Sequence, residues 1–298
     1  MYKYSVIIPA YNESETIGEV IKKIIKLYPD FEIIVIDDGS EDSTAEQAIK
    51  SGAKVYRHPY NIGNGAAVKT GIRHAKGDIL IFMDGDGQHD PTDIANIIKY
   101  FPEYDMVVGA RQKDYQSGMI RKLGNNFYNI LASYVAQFKI QDLTSGFRAV
   151  KSDLALLFIS LLPNTYSYPT TLTLCVLRSG RSIKYTPIKA KPRQKGVSNI
   201  KIFQHGIKFF NIILKICTLY SPLRIFFPIS LCLFTTGIFY YLYTYINFNR
   251  FTNMSALLFS TSVIIFMIGL VSEQISQMWF ANFTNNFNNS KPIFSAGH

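Results

Sequence analysis

Two carboxylates spaced i, i+2, each followed by a glycine, with an amide at i+4, form the stretch Asp84-Gly85-Asp86-Gly87-Gln88. Asp84, Asp86 and the Gln88 carbonyl offer hard oxygen donors of the kind that Mg²⁺ or Mn²⁺ prefers. The plainer reading is a polar turn before a helix, with Asp90 as N-cap and Pro91 at the first helical position. Two further acid groups stand upstream, in Tyr11-Asn12-Glu13 and Asp37-Asp38-Gly39-Ser40. Downstream come Arg111, Arg121, the run Asp142-Leu143-Thr144-Ser145-Gly146-Phe147-Arg148, and a basic passage with Arg193 and Lys195. Arginine and serine donors suit phosphate oxygens, although surface ion pairs are the plainer account of each arginine alone. Gly146 points to a turn with close backbone approach. Asp142 could orient an arginine or touch a sugar. His89 reads as a helix-start residue, not an acid or base.

The acids need a frame. Apolar runs over residues 4–9, 31–36, 53–56, 79–83 and 105–109 read as buried strands. Helical periodicity runs over about 15–27, with Ile17, Val20, Ile21, Ile24 and Ile25 on one face, and over about 92–100. A glycine-rich turn, Asn61 to Ala67, opens a helix ending near Lys76. A further helix from Arg121 to about Phe138 carries only a core-facing stripe. This βαβα alternation predicts an α/β fold with a doubly wound, largely parallel sheet. Acids after the first, second and fourth strands would then share one rim, where open α/β sheets bind ligands. Glu13 and Asp38 could accept hydrogen bonds from a base or ribose, and Asp86 could hold a metal on a diphosphate. Without a cation such carboxylates would repel one another. A dinucleotide fingerprint is disfavoured, because Gly63-x-Gly65 follows the third strand and Val68 replaces the third glycine. No P-loop Gly-Lys-Ser/Thr is present.

The chain has 298 residues, with Lys plus Arg 31 against Asp plus Glu 21, a formal charge of +10. Its apolar and aromatic character is concentrated toward the C-terminus, so the basic balance favours an anionic membrane over nucleic acid. The first apolar run, Val6 to Ile8, is too short for a signal peptide and places the N-terminal half in the cytoplasm. Cys175, Cys217 and Cys232 have no metal-binding or redox spacing and read as reduced thiols.

Residues 199–220 set Lys201, His205, Lys208 and Lys215 against an apolar face, the pattern of an interfacial helix. Residues 225–246 and 251–272 carry no charge and are each long enough to cross roughly 30 Å of hydrocarbon. The short connection at 247–250 makes them a hairpin. Basic residues precede the first span, against Arg250 alone on the far side, which puts both termini in the cytoplasm. The expected organisation is a soluble domain over 1–198, the interfacial helix over 199–220, the hairpin over 221–281 and a disordered tail over 282–298.

Pro9-Ala10-Tyr11-Asn12-Glu13, Asp37-Asp38-Gly39-Ser40, Asn61-x-Gly63-x-Gly65-x-Ala67 and Asp84-Gly85-Asp86-Gly87-Gln88 resemble the motifs of family 2 glycosyltransferases, in that family's order and spacing. The resemblance covers essentially residues 4–200. Within that family the chain looks like the polyprenyl-phosphate glycosyltransferases, including dolichyl-phosphate mannose synthases. Two-span members of that family show Gly-Leu-x-x-Glu endings similar to the one at Glu273. The resemblance implies a GT-A fold with a mixed sheet. It also implies a nucleotide-sugar donor, with Pro9, Tyr11, Glu13 and Asp38 around the nucleoside and Asp84 near the donor. A divalent metal is implied near Asp84, Asp86 and Gln88, with Asp86 favoured as the direct ligand. Arg111, Arg121, Asp142, Ser145 and Arg148 match acceptor-side positions expected to bind a polyprenyl phosphate, and Arg193 with Lys195 would close over the phosphates. The expected reaction is an inverting sugar transfer at the cytoplasmic membrane face. A processive polysaccharide synthase would want Gln-x-x-Arg-Trp, whereas the sole tryptophan, Trp279, follows Gln277-Met278. A non-catalytic membrane scaffold would predict lost metal ligands, and all three are present. The sugar, the base, the prenyl length and any homo-oligomer stay open at this point.

Overall fold

The computed structural model describes residues 2–111, 129–130, 132–134, 136–188 and 221–290. Arg121, Arg193, Lys195 and the helix expected over 199–220 lie outside the described residues. The chain divides into two compact units, one holding the strands and one the C-terminal helices.

Among the described residues the first unit has seven strands: β1 Tyr4–Ala10, β2 Glu32–Asp37, β3 Lys54–Arg57, β4 Ile79–Phe82, β5 Met106–Arg111, β6 Arg148–Lys151 and β7 Ile183–Ile188. They form one sheet in the order β3-β2-β1-β4-β6-β5-β7. Pairings β1–β2, β1–β4, β2–β3 and β5–β7 are parallel, whereas β6 runs antiparallel between β4 and β5. The sheet is therefore mixed. The apolar runs of β1, β2, β4 and β5 form strands because both faces are covered, which removes the alternation of a half-exposed strand, whereas β3 at the sheet edge is only partly covered. Val6, Ile8 and Ala10 of β1 pack with Ile17, Val20, Ile21 and Ile24 of α1 (Ile17–Leu27). Ile25, counted on the same face, is exposed. Ile7 points the other way, against Gly71 of α3 (Asn64–His74). α2 is Thr44–Lys50, and the helix expected over 92–100 is a 3₁₀ turn, Pro91–Asp93, leading into α4, Ile94–Ile98. α5 (Ser152–Phe158) and α6 (Tyr168–Arg178) complete the unit.

The glycine-rich turn before α3 has a packing reason. A Cβ on Gly63 would lie 2.3 Å from the Asn164 carbonyl oxygen, and one on Gly65 would lie 2.1 Å from that of Pro163. The Ala66 N–H donates to the same Asn164 oxygen at 3.2 Å. The N-terminus of α3 is thus closed by the backbone of residues 163–165, and bare Cα atoms are what let the two segments meet.

The second unit holds α7, Leu223–Phe248, and α8, Asn253–Ser290. Both have stretches long and apolar enough to cross a membrane, the most apolar 18-residue window having mean hydropathy 1.8 within Leu223–Phe248 and 2.3 within Asn253–Met278. Asn249, at φ 47°, ends the first in the left-handed conformation that asparagine tolerates. The helices meet at small residues: Ser230 Oγ donates to the Ser262 carbonyl at 3.0 Å and Ser262 Oγ to the Ser230 carbonyl at 2.9 Å. Glu273 accepts from the Leu223 N–H at 3.3 Å, so an acid midway along α8 caps the first turn of α7. Residues 282–290, expected in a disordered tail, continue α8. The sequence has no glycine or proline between Gly269 and Pro292 to stop it.

Gly65→Ala is expected to destabilise the first unit by about 1–3 kcal/mol through overpacking against Pro163. Gly180, at φ 70° with nothing within 4 Å of its missing Cβ, should cost only the backbone term as alanine, roughly 1–2 kcal/mol. Thermal unfolding of both variants checks this, and a smaller loss for Gly65→Ala would contradict the packing account.

Candidate active site

The register brings three strand ends together. Ala10 lies across from Asp37, and Ile7 across from Phe82, so β1, β2 and β4 end on one rim. Pro9 is buried in β1, Tyr11 is 40% exposed and Glu13 is half-buried. The Asn12 N–H donates to Ser40 Oγ at 2.9 Å and the Glu13 N–H to Thr44 Oγ1 at 2.9 Å, tying the first loop to the second. Asp37 is fully buried and pairs with Arg57 at 3.1 Å. Asp38, expected to face a nucleoside, turns its carboxylate inward. It accepts from the N–H groups of Ile62 at 3.0 Å and Gly63 at 2.8 Å, and meets His58 Nδ1 at 2.7 Å. Only 3% of it is exposed. Its carboxylate organises the glycine-rich turn, and the backbone around it forms the rim. His58 also reaches Thr70 Oγ1 at 2.9 Å, a linkage with no signal in the sequence.

β4 is buried along its length and opens directly into the acid motif. Thr16 Oγ1 donates to the Gly85 carbonyl at 2.8 Å, and the Gln88 N–H donates to Asp86 Oδ1 at 3.0 Å. Asp84, Asp86 and Gln88 are all half-exposed. Asp90 is the cap that the plainer reading foresaw, accepting from the Thr92 N–H at 3.0 Å while pairing with Lys23. His89 is buried, stacks on Phe147 at 5.1 Å, and places Nε2 3.9 Å from Asp84 Oδ2. Burial pushes its pKa down to about 4 against a smaller opposing pull from Asp86. At neutral pH it carries no charge and does not balance the two acids.

That arrangement fits a divalent cation. The donors are all oxygen, they are half-exposed at a strand end, and the nearest histidine is neutral. Among the described residues no three His, Cys, Asp or Glu side chains gather closely enough to hold an ion by themselves. Gln88 and oxygens from a ligand would have to complete the shell.

Across the rim, the Arg111 side chain at the end of β5 is held by Asp142. Nε donates to Oδ2 at 2.8 Å and Nη2 to Oδ1 at 3.0 Å, with a further bond from Nη2 to Thr144 Oγ1 at 2.7 Å. Burial works against both charges, yet their pairing wins. Asp142 stays below the usual carboxylate range and Arg111 above its ordinary value. Asp142 thus orients Arg111, whose side chain is 30% exposed.

Two residues expected to reach a phosphate sit elsewhere. Ser145 is buried and its Oγ donates to the Gly109 carbonyl at 2.6 Å. Arg148 is fully buried. Its guanidinium donates to the carbonyls of Ser145 and Pro169 and to Thr173 Oγ1. The physical reason is β6: an antiparallel strand wedged between β4 and β5 turns its first side chain into the space under α6.

The chain matches the family model described as "Glycosyl transferase family 2" over residues 5–156 and the "GtrB C-terminal hairpin" over 221–278. It is 35% identical over 195 residues to an uncharacterized protein of Methanocaldococcus jannaschii, covering 62% of this chain and 79% of that protein. It is 34% identical over 139 residues to the undecaprenyl-phosphate 4-deoxy-4-formamido-L-arabinose transferase of Salmonella choleraesuis, covering 43% of this chain but only 42% of that transferase. Glucosyl-3-phosphoglycerate synthase from Mycobacterium tuberculosis, in complex with Mn²⁺ and uridine-diphosphate-glucose, shares the fold. The TM-score is 0.60 at 22% identity, over 72% of this chain and 79% of that one. The GT-A sheet implied by the motifs is the sheet observed.

His89 generates a pH prediction. Its folded pKa, about 4, lies below the unfolded value of 6.5, so the unfolded chain binds more protons between these values. Stability should be fully present above pH 6.5 and fall as pH drops toward 4, by about 3 kcal/mol from this group. In metal-free buffer, His89→Phe should flatten that part of the stability profile. An unchanged slope would contradict the assignment.

Proposed function

The chain belongs to the family 2 glycosyltransferases, and from that premise we propose that it transfers a sugar, with inversion, from a nucleoside-diphosphate sugar to a polyprenyl monophosphate. The observation that carries this reading is that β4 and β5 end on the same rim, which sets the Asp84–Gln88 oxygen donors near the Arg111–Asp142 pair. The C-terminal hairpin supports a lipid acceptor, since it gives the chain two segments able to span a bilayer. The Salmonella relative, an undecaprenyl-phosphate 4-deoxy-4-formamido-L-arabinose transferase by name, supports the same reading.

In this reading Pro9, Tyr11 and Glu13 line the nucleoside side, and Asp38 holds the turn beside it. Asp84, Asp86 and Gln88 would hold Mg²⁺ or Mn²⁺ against the donor's diphosphate. Such an ion supplies Lewis-acid stabilisation of the charge that develops on the leaving group. A phosphate oxygen of the acceptor bonds to the anomeric carbon as the bond from that carbon to the diphosphate breaks on the opposite face. The departing electron pair stays on the nucleoside diphosphate. The nucleophile is already anionic near neutral pH, so positioning and charge screening are needed in place of a general base. Arg111, oriented by Asp142, serves that need, with Arg121 and Arg193 as further proposed phosphate contacts. Ser145 and Arg148 brace the acceptor loop from within. By the positive-inside rule the first unit and both termini are cytoplasmic.

A panel of UDP- and GDP-sugars incubated with membranes and short polyprenyl phosphates, scored for glycolipid, tests the reaction. Formation of no glycolipid with any donor would sink it. Asp86→Ala is expected to lower transfer by roughly 100-fold or more while the protein still inserts in membranes. Arg111→Lys keeps a charge but loses the two-point pair with Asp142. It should raise the KM for lipid phosphate several-fold and leave the donor KM within about twofold; a donor-only effect would contradict the acceptor role.

A further inference from the structure

We propose that Gly146 and His89 are positioning residues that set the Asp84 carboxylate, so that the loop carrying Asp142 governs how tightly the acid motif holds its ion. The proposal rests on reading Asp84–Gln88 as an ion site. A Cβ built on Gly146 would lie 2.8 Å from Asp84 Oδ2 and 3.5 Å from Oδ1. The carboxylate therefore lies over a bare Cα, and the space a side chain would fill is the space the carboxylate uses. On its other side, His89 Nε2 lies 3.9 Å from the same Oδ2.

Both neighbours of Asp84 depend on one dipeptide. Gly146 touches it directly, while His89 is held in place by its stack on Phe147, at 5.1 Å and 19°. The dipeptide is pinned in turn to β5. Ser145 Oγ donates to the Gly109 carbonyl at 2.6 Å, and the Gly109 N–H donates to the Phe147 carbonyl at 3.0 Å. Two residues beyond Gly109 stands Arg111, locked to Asp142. A continuous set of short contacts thus runs from the proposed acceptor side to a proposed ion ligand. Mg²⁺ and Mn²⁺ sites are sensitive to such support, because small displacements of a carboxylate oxygen spoil octahedral geometry.

The test is Mn²⁺ binding to the full chain in detergent with UDP or GDP present, read by loss of the free-ion electron paramagnetic resonance signal, in a double-mutant cycle. Gly146→Ala should weaken Mn²⁺ binding by roughly 10-fold or more. On an Asp84→Ala background, where the shortened side chain no longer meets position 146, the same change should alter binding by less than about twofold. Wild-type affinity in Gly146→Ala, or an equal loss in both backgrounds, overturns the proposal. Should Gly146→Ala fail to fold, the double variant should fold with the thermal midpoint of Asp84→Ala. A double variant that also fails overturns it. A wild-type chain that binds no Mn²⁺ with either nucleotide overturns the ion-site reading itself. The midpoints of the four proteins then still decide whether Gly146 acts through Asp84.

Discussion

Gathering carboxylates at one end of the parallel strands carries an electrostatic cost, because like charges in a partly dry rim repel and lose hydration. Much of the local structure follows from how each acid meets that cost. Asp37 takes Arg57, Asp38 takes two backbone N–H groups and His58, Asp90 takes Lys23, and Asp142 takes Arg111. Each solution also ties two segments together: β2 to β3, β2 to the turn before α3, the turn after β4 to α1, and β5 to the loop that carries Asp142. The half-exposed Asp84 and Asp86 are the members of the set best placed to share a mobile cation.

The antiparallel strand β6 is the second organising choice. Inserting it between β4 and β5 separates β1 to β4 from β5 and β7, and brings the loop before β6 beside the acid motif, where Gly146 lies against Asp84. It also carries Arg148 into the interior. There the guanidinium satisfies carbonyls from two segments and acts as a bracket, keeping the loop before β6 and the start of α6 in fixed relation.

β1, β2, β4 and β5 were legible because a strand covered on both faces leaves a continuous apolar run. β6 was not legible, since its four residues begin with arginine and end with lysine, and only its neighbours make it a central strand. The acid motif was legible as chemistry through its residue types and spacing. Asp38 and Arg148 illustrate the limit: a sequence shows which donors and acceptors exist, whereas orientation depends on neighbours far along the chain. His58 lies 20 residues from Asp38, and Pro169 and Thr173 lie 21 and 25 residues from Arg148. The glycines of Asn61 to Ala67 read as a turn into a helix, and what they admit is a piece of the protein's own backbone.

The reciprocal serine bonds between α7 and α8 bear on mechanics. Ser230 and Ser262 each give a hydroxyl to the other's carbonyl, and Glu273 closes on the Leu223 N–H, more than a turn away from them. In hydrocarbon no water can replace a partner that slips away. A slide of one helix along the other by a single residue, about 1.5 Å, would break these links together. The hairpin therefore has one register and no shallow series of neighbouring ones. A pull on the Leu223 end is borne by both helices at once, which makes the pair a stiff post instead of two independent tethers.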